Sequence, residues 1–266
     1  VWPEAVTPGL LRFDRKLYEE VTGLAEQEKV WILLGADDAE TIPENAGQPD
    51  KPQVRYFNSV FSVSPKGVIE ETYRKQRLVM FGEYIPLVNA LPFLKWFSPV
   101  GSGFTPGTAA GDFTFSEPDF KATTLICFED AFPLLARAAV TAETDLIINL
   151  TNDGWFGESA AQWQHAVTAA FRAVENGIPL VRSTNNGLTC WVDAHGNVHE
   201  VYFGDSEDVY AAGFKVATIP LRRTPRTLFH RYGDWLGTCC FLMTFLHLAF
   251  NMVQEIRARR NRMPKA

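Results

Sequence analysis

Between Trp235 and Val253 the chain runs for 19 residues without an Asp, Glu, Lys or Arg. As a helix, such a run covers roughly 28 Å, close to the ~30 Å hydrocarbon core of a bilayer. Arg257, Arg259, Arg260, Arg262 and Lys265 follow it, and a basic cluster beside a span marks the cytoplasmic side. The alternative is a buried C-terminal helix with a solvated basic tail, to which His247 and Asn251 lend weight. The run divides the sequence into an expected α/β domain over 1–222, a linker over 223–234, a membrane helix over 235–253 and a basic tail over 254–266. Val1 is not a start methionine, so the reading is of a fragment whose first core strand lies upstream.

The domain ahead of the span alternates helical and strand patterns. Leu17, Val21, Leu24 and Ala25 have helical spacing, which predicts a helix from Asp14 to Lys29. Val30–Leu34 reads as a strand buried on both faces and closed by Gly35. Val54–Val63 and Val68–Tyr73 read as a hairpin around Pro65-Lys66-Gly67. Leu125-Ile126 ends a short strand at Cys127, Pro133 suits a first helical turn, and Leu146–Leu150 is a further buried strand. A helix over Ala160–Asn176 carries Val167, Ala170, Phe171 and Val174 on one face and ends at Gly177 before a strand at Pro179–Ser183. Asp193–Gly196 reads as a hairpin turn. Helices alternating with buried strands predict a layered α/β sandwich.

The net charge of −6 argues against nucleic acid, which needs a concentrated basic surface. The four cysteines, Cys127, Cys190, Cys239 and Cys240, have neither disulfide-framework nor metal-knuckle spacing. Residues Tyr84–Thr108 form a Pro- and Gly-rich stretch with Leu91, Phe93, Leu94, Trp96, Phe97 and Phe104. So many aromatics in a loop suggest a lid or an interfacial arm; the plainer reading is a loop folded onto the core.

Four residues could carry chemistry. Glu4 follows an apolar strand end and alone reads as a surface acid; Glu83 has apolar neighbours and would need a partner if buried. Lys75 follows a strand within a basic cluster. Cys127 sits at a strand-to-helix turn, where N–H groups lower a thiol pKa and bind an oxyanion; an inert core thiol is the other possibility.

The order Glu4, Lys75, Glu83, Cys127, with the segments Asn149–Phe156, Gln164-His165, Arg172–Pro179, Val181-Arg182, Asn186-Gly187 and Asp193–Gly196, resembles the carbon–nitrogen hydrolase (nitrilase) superfamily over about Val1–Val201. Arg77–Pro86, the aromatic arm and the span with its basic tail are similar to the superfamily's membrane-bound lipoprotein acyltransferase branch. Met80 and Phe128 depart from that branch, which often has proline and tyrosine there. The resemblance implies an α-β-β-α sandwich followed by a transmembrane helix.

It also implies roles. Cys127 is the nucleophile, Glu4 the general base and Lys75 the stabiliser of negative charge, while Glu83 either orients Lys75 or assists proton transfer. The Phe128 N–H is a second oxyanion donor. Glu129 either shapes the pocket or is a solvated or helix-capping acid. Leu91, Phe93, Trp96 and Phe97 face lipid. The implied reaction moves a fatty acyl group from a phospholipid, through a Cys127 thioester, to the α-amine of a diacylglyceryl-modified apolipoprotein. The implied location is the bacterial inner membrane, with the catalytic domain periplasmic and the tail cytoplasmic. No metal or organic cofactor is implied. A membrane-tethered amidase or nitrilase is the competing activity.

Overall fold

The computed structural model describes residues 1–42, 53–88, 90–97, 103–199, 208–221 and 226–262, with backbone only at 53, 95, 97 and 259–262. The chain divides into two units, Val1–Pro225 and Arg226–Ala266.

The first unit begins with an extended segment and then α1 (Arg15–Glu28), β1 (Ile32–Ile42), β2 (Gln53–Val63) and β3 (Ile69–Arg74). Asp14 caps α1 by accepting from the Leu17 N–H at 3.1 Å, and Lys29 ends it in the left-handed region. The strands form an antiparallel sheet in the order β1-β2-β3. After the arm come β4 (Asp112–Ser116), β5 (Asp119–Ile126), a 3-10 turn at Cys127–Ala131, α2 (Pro133–Ala139), β6 (Leu146–Asn152), α3 (Ala161–Asn176), β7 (Leu180–Asn185), β8 (Cys190–Val192) and β9 (Val198–His199). These strands form a second sheet, β4 to β9 in sequence order, parallel at β5-β6-β7 and antiparallel elsewhere.

Three apolar clusters define the layers. Leu33, Val60 and Tyr73 of the first sheet pack against Phe113, Phe115, Ile126, Ile148 and Leu150 of the second. The outer face of the first sheet, with Ile32, Leu34, Phe61 and Val63, buries Val21 and Ala25 of α1. The outer face of the second, with Leu125, Ile147 and Leu180, buries Ala136 of α2 and Ala169 and Ala173 of α3. Alternate residues of β1, β5 and β6 thus serve opposite layers, the period-2 signature of strands covered on both sides. The result is an α-β-β-α sandwich.

Two local expectations are corrected. β1 does not close at Gly35 but runs to Ile42. Gly35 is required for a different reason: a Cβ there would lie 2.6 Å from the Glu4 Cα and 2.7 Å from the Pro3 carbonyl. The N-terminal segment runs parallel to β1, bonded Trp2 N to Leu33 O (2.7 Å), Gly35 N to Pro3 O (3.1 Å) and Val6 N to Gly35 O (2.9 Å). On α3, Val167, Phe171 and Val174 are exposed, and the packed face is Ala166, Ala169, Ala170 and Ala173. Small residues let the helix approach the sheet closely, so the larger side chains point away.

The second unit holds α4 (Leu228–Tyr232) and α5 (Trp235–Arg262). Trp235–Ala258 is long and apolar enough to cross a membrane, with mean hydropathy 1.7 and none of it buried. The helix continues past Val253, so Arg257, Arg259, Arg260 and Arg262 lie on it; Lys265 lies outside the described residues.

Candidate active site

Residues from both sheets converge on one buried charged cluster. Glu4 is placed by the segment beside β1. Lys75 follows β3, and its N–H donates to the Asn58 carbonyl of β2 at 2.8 Å. Glu83 sits in a tight turn closed by its own N–H to the Val79 carbonyl (2.8 Å). The Lys75 ammonium, 1% exposed, donates to Glu4 Oε1 (3.1 Å) and Glu83 Oε1 (2.8 Å). The Asn58 amide donates to the same two acids at 2.7 and 3.0 Å. The remaining oxygens are also used: Glu83 Oε2 accepts from the Val79 N–H and Glu4 Oε2 from the Asn152 N–H, each at 2.8 Å. One cation held by two acids, each with further donors, is the condition under which buried charge is tolerated.

Cys127 enters from the second sheet. It follows β5 directly and has φ 50°, a left-handed conformation that is rare for a residue with a side chain. Its thiol lies 4.0 Å from the Asn152 carbonyl, so Asn152 touches Glu4 with its N–H and Cys127 with its C=O. Burial, and then the Glu4 charge, push the Cys127 thiol well above its usual pKa, against the opposing pull of Lys75 and Asn152. The turn N–H groups therefore do not lower the thiol pKa as expected, and the resting sulfur keeps its proton. For Lys75, burial opposes the ammonium, but Glu4, Cys127 and Glu83 outweigh it and raise its pKa.

Glu129 is not solvated; it caps the 3-10 turn by accepting from the Ile126 N–H and has further partners in the site. It is fully buried and accepts from the Tyr73 hydroxyl (2.9 and 2.8 Å), the N–H groups of Gln76 (2.7 Å) and Arg77 (3.0 Å), and the Ile126 N–H (2.8 Å). It therefore ties the turn after Lys75 to the residue before Cys127. Burial raises its pKa. Phe128 is partly exposed, with its ring edge-on to Phe132 at 5.1 Å.

The arm starts and returns at Glu83, whose carbonyl accepts from the Phe104 N–H at 2.8 Å. Leu91, Phe93 and Trp96 are exposed, Trp96 to 86%; the Phe97 side chain lies outside the described residues. A groove of about 980 Å³ is lined by Trp31, Leu33, Phe115, Ile148 and Val181, and its lining does not include Cys127, Glu4 or Lys75.

Sequence reasoning missed Asn58, Asn152 and Tyr73 as parts of this site. Asn152 lay within a quoted motif, but Asn58 sits mid-strand, where only its pairing opposite Asp37 and next to Lys75 gives it meaning.

Fold and site define a two-sheet α-β-β-α protein in which Asn152 links a left-handed cysteine to a buried cluster of one lysine and two acids. The carbon–nitrogen hydrolase profile matches residues 1–219, and the chain belongs to that family. It is 33% identical to the apolipoprotein N-acyltransferase of Geobacter metallireducens over 90% of this chain and 43% of that protein. It is likewise 33% identical to the apolipoprotein N-acyltransferase of Brucella melitensis, over 97% of this chain and 46% of the relative. The chain thus spans about half the length of the curated relatives it matches. Among solved structures it is similar to a variant of the Nesterenkonia AN1 amidase from the nitrilase superfamily, at 18% identity and TM-score 0.47, over 74% of this chain and 70% of that one.

Proposed function

We propose that this chain is the catalytic part of an N-acyltransferase that moves a fatty acyl group from a phospholipid to the α-amine of a lipidated N-terminal cysteine of apolipoproteins. The convergence of Glu4, Lys75 and Glu83 on the Cys127 turn carries this reading. The relatives' names and the apolar α5 support the acyl and membrane parts of it.

In the first half-reaction the Cys127 sulfur attacks the ester carbonyl while Glu4 takes the thiol proton. Once Glu4 is neutral its repulsion of the sulfur vanishes, and the Lys75 charge acts on the developing oxyanion unopposed by it. The carbon–oxygen bond breaks, the lysophospholipid leaves with the proton from Glu4, and a thioester remains on Cys127. In the second, the amine attacks the thioester, Glu4 accepts a proton from nitrogen, and the sulfur leaves as the thiol. Glu83 holds Lys75 in place through both steps. The Phe128 N–H is assigned as a further oxyanion donor.

The membrane follows from the donor's chemistry. Each buried methylene contributes about 0.8 kcal/mol, so acyl chains stay in the bilayer and the enzyme must come to them. Leu91, Phe93, Trp96 and Phe97 would enter the interface, and an arm rooted at Glu83 would couple lipid entry to the cluster. The basic residues of α5 favour a cytoplasmic C-terminus and hence a periplasmic catalytic unit on the bacterial inner membrane.

The test is incubation in membranes with a phospholipid carrying a labelled acyl chain. The expected result is one labelled acyl group on Cys127, discharged by a diacylglyceryl-cysteine peptide. Label that never reaches Cys127 overturns the mechanism; label that passes to water but never to the peptide makes the protein a hydrolase.

A further inference from the structure

Four side chains that the acyl-transfer chemistry does not use form a closed ring beside the Cys127 turn. Asp130 belongs to that turn, Asp153 follows β6, His165 lies on α3 and Arg182 on β7. Arg182 is fully buried and donates from Nη1 to Asp130 Oδ2 and from Nη2 to Asp153 Oδ2, both at 3.0 Å. His165 takes the other oxygens, with Nε2 3.0 Å from Asp130 Oδ1 and Nδ1 2.7 Å from Asp153 Oδ1. Both aspartates are wholly buried.

This geometry fixes a charge state. A neutral imidazole has one N–H and one lone pair, and an ionised carboxylate only accepts. Neutral His165 would face one carboxylate lone pair with its own; the imidazolium donates to both. Two aspartates, one guanidinium and one imidazolium then sum to zero, which suits a dry site. Among the described residues Arg172 of α3 also touches the ring: it donates to the Asp130 carbonyl at 2.9 Å and pairs with Glu175. Phe156 meets the imidazole edge-on at 6.0 Å.

The ring also reaches the reactive cysteine. Arg182 donates to Asn149 Oδ1 at 2.7 Å, and the Asn149 amide lies 3.5 Å from the Cys127 carbonyl. Asp153 adjoins Asn152, the residue that contacts both Glu4 and Cys127.

We propose that His165 is a positioning residue that acts as an imidazolium, clamping the Cys127 turn to the end of β6 so that the thiol and Glu4 stay in register. The inference rests on Cys127 and Glu4 being the reacting pair. It adds that their alignment is lost on the alkaline side, when His165 gives up its proton. Burial and the Arg182 charge oppose the imidazolium, but the hydrogen bonds to Asp130 and Asp153 outweigh them, and His165 titrates at about 9.

Two measurements on the full chain test it. Long-range proton–nitrogen spectra of protein carrying labelled histidine, assigned with the His165→Gln variant, should give two protonated ring nitrogens for His165 at pH 7.5. A single protonated nitrogen there overturns the proposal. Single-turnover acylation of Cys127 by a p-nitrophenyl ester should fall above about pH 9 in the unaltered chain and level off about tenfold lower. His165→Gln should be slower at pH 7.5, by about tenfold, and lack that alkaline limb. An identical limb in the variant overturns the proposal, and if the variant fails to fold the spectrum of the unaltered chain decides. The ester needs no phospholipid, so a protein that fails to use phospholipid still reports on His165. An unreactive Cys127 sinks the acyl-transfer reading, while the spectrum still reads the imidazole's charge.

Discussion

Two buried charged clusters flank the Cys127 turn, and they are built differently. The ring of Asp130, Arg182, Asp153 and His165 pairs every carboxylate oxygen with a cationic donor. The cluster of Glu4, Lys75 and Glu83 holds one cation between two acids and abuts a thiol that keeps its proton. Balanced charge in a dry interior fixes geometry, and surplus negative charge beside a protonated nucleophile leaves a base ready to act. On the proposed mechanism the difference divides stability from reactivity between the two clusters, which mutation can separate.

The largest effect belongs to Cys127, the proposed nucleophile. Cys127→Ala should abolish acyl-enzyme formation, a loss on the order of 10³-fold or more in turnover, with the fold retained. Intact-mass detection of the adduct and a thermal melt read the two quantities. Residual acylation within tenfold of the unaltered chain would mean that another residue is the nucleophile.

Arg182→Met should do the reverse. It leaves Asp130 and Asp153 buried with one cation between them, and breaking a buried pair costs about 3–5 kcal/mol. Denaturant unfolding should register that loss. Lys75→Met should cost less stability, because Glu4 and Glu83 keep Asn58, Asn152 and Val79 as donors, while acylation is lost. Equal destabilisation by the two variants would erase the distinction between the clusters.

The sequence carried these clusters unevenly. Strand and helix periods, the hairpin at Pro65–Gly67 and the Gly177 stop are local signals, and they describe most of the sandwich. Glu4, Lys75, Glu83 and Cys127 were legible through a family pattern of residues in order. Asp153, His165 and Arg182 were visible as letters within that pattern, but their partnership was not. It arises because β5, β6 and β7 lie side by side and parallel, so residues at or near their C-terminal ends meet under α3, and strand order cannot be read from any one segment. The capping bond of Glu129 to Ile126 is local, but its ties to Tyr73, Gln76 and Arg77 were hidden for a similar reason: those partners lie more than fifty positions away. The exposed stripe Val167, Phe171 and Val174 misled because period 3.6 marks a face without saying which face packs.

The next effect is a pH dependence confined to the ring. His165 has its folded pKa raised from 6.5 to about 9. Its stabilising contribution is therefore complete below about pH 6.5, declines as pH rises, and is gone above about 9. The difference amounts to on the order of 3 kcal/mol. Unfolding midpoints measured from pH 6 to 10 should decline across that window in the unaltered chain and stay flatter in His165→Gln. A parallel decline in both would assign the titration to another group.

The smallest effect probes the surplus charge of the reactive cluster from its edge. Asp37 of β1 is half-buried opposite Asn58, and burial first, then Glu4 and Glu83, raise its pKa. A carboxylate whose folded pKa is raised disfavours the fold once ionised, and the penalty disappears below the unfolded pKa. Asp37→Asn should therefore stabilise the protein at pH 7 and not at pH 3.5, by less than about 1 kcal/mol because water screens a half-exposed group. The same substitution leaves the ring untouched, so the alkaline decline attributed to His165 should persist in it unchanged. A gain at pH 3.5 as large as at pH 7 would mean that Asp37 costs stability through its packing rather than its charge, and the reactive cluster would lose its claim to a surplus that extends beyond Glu4 and Glu83.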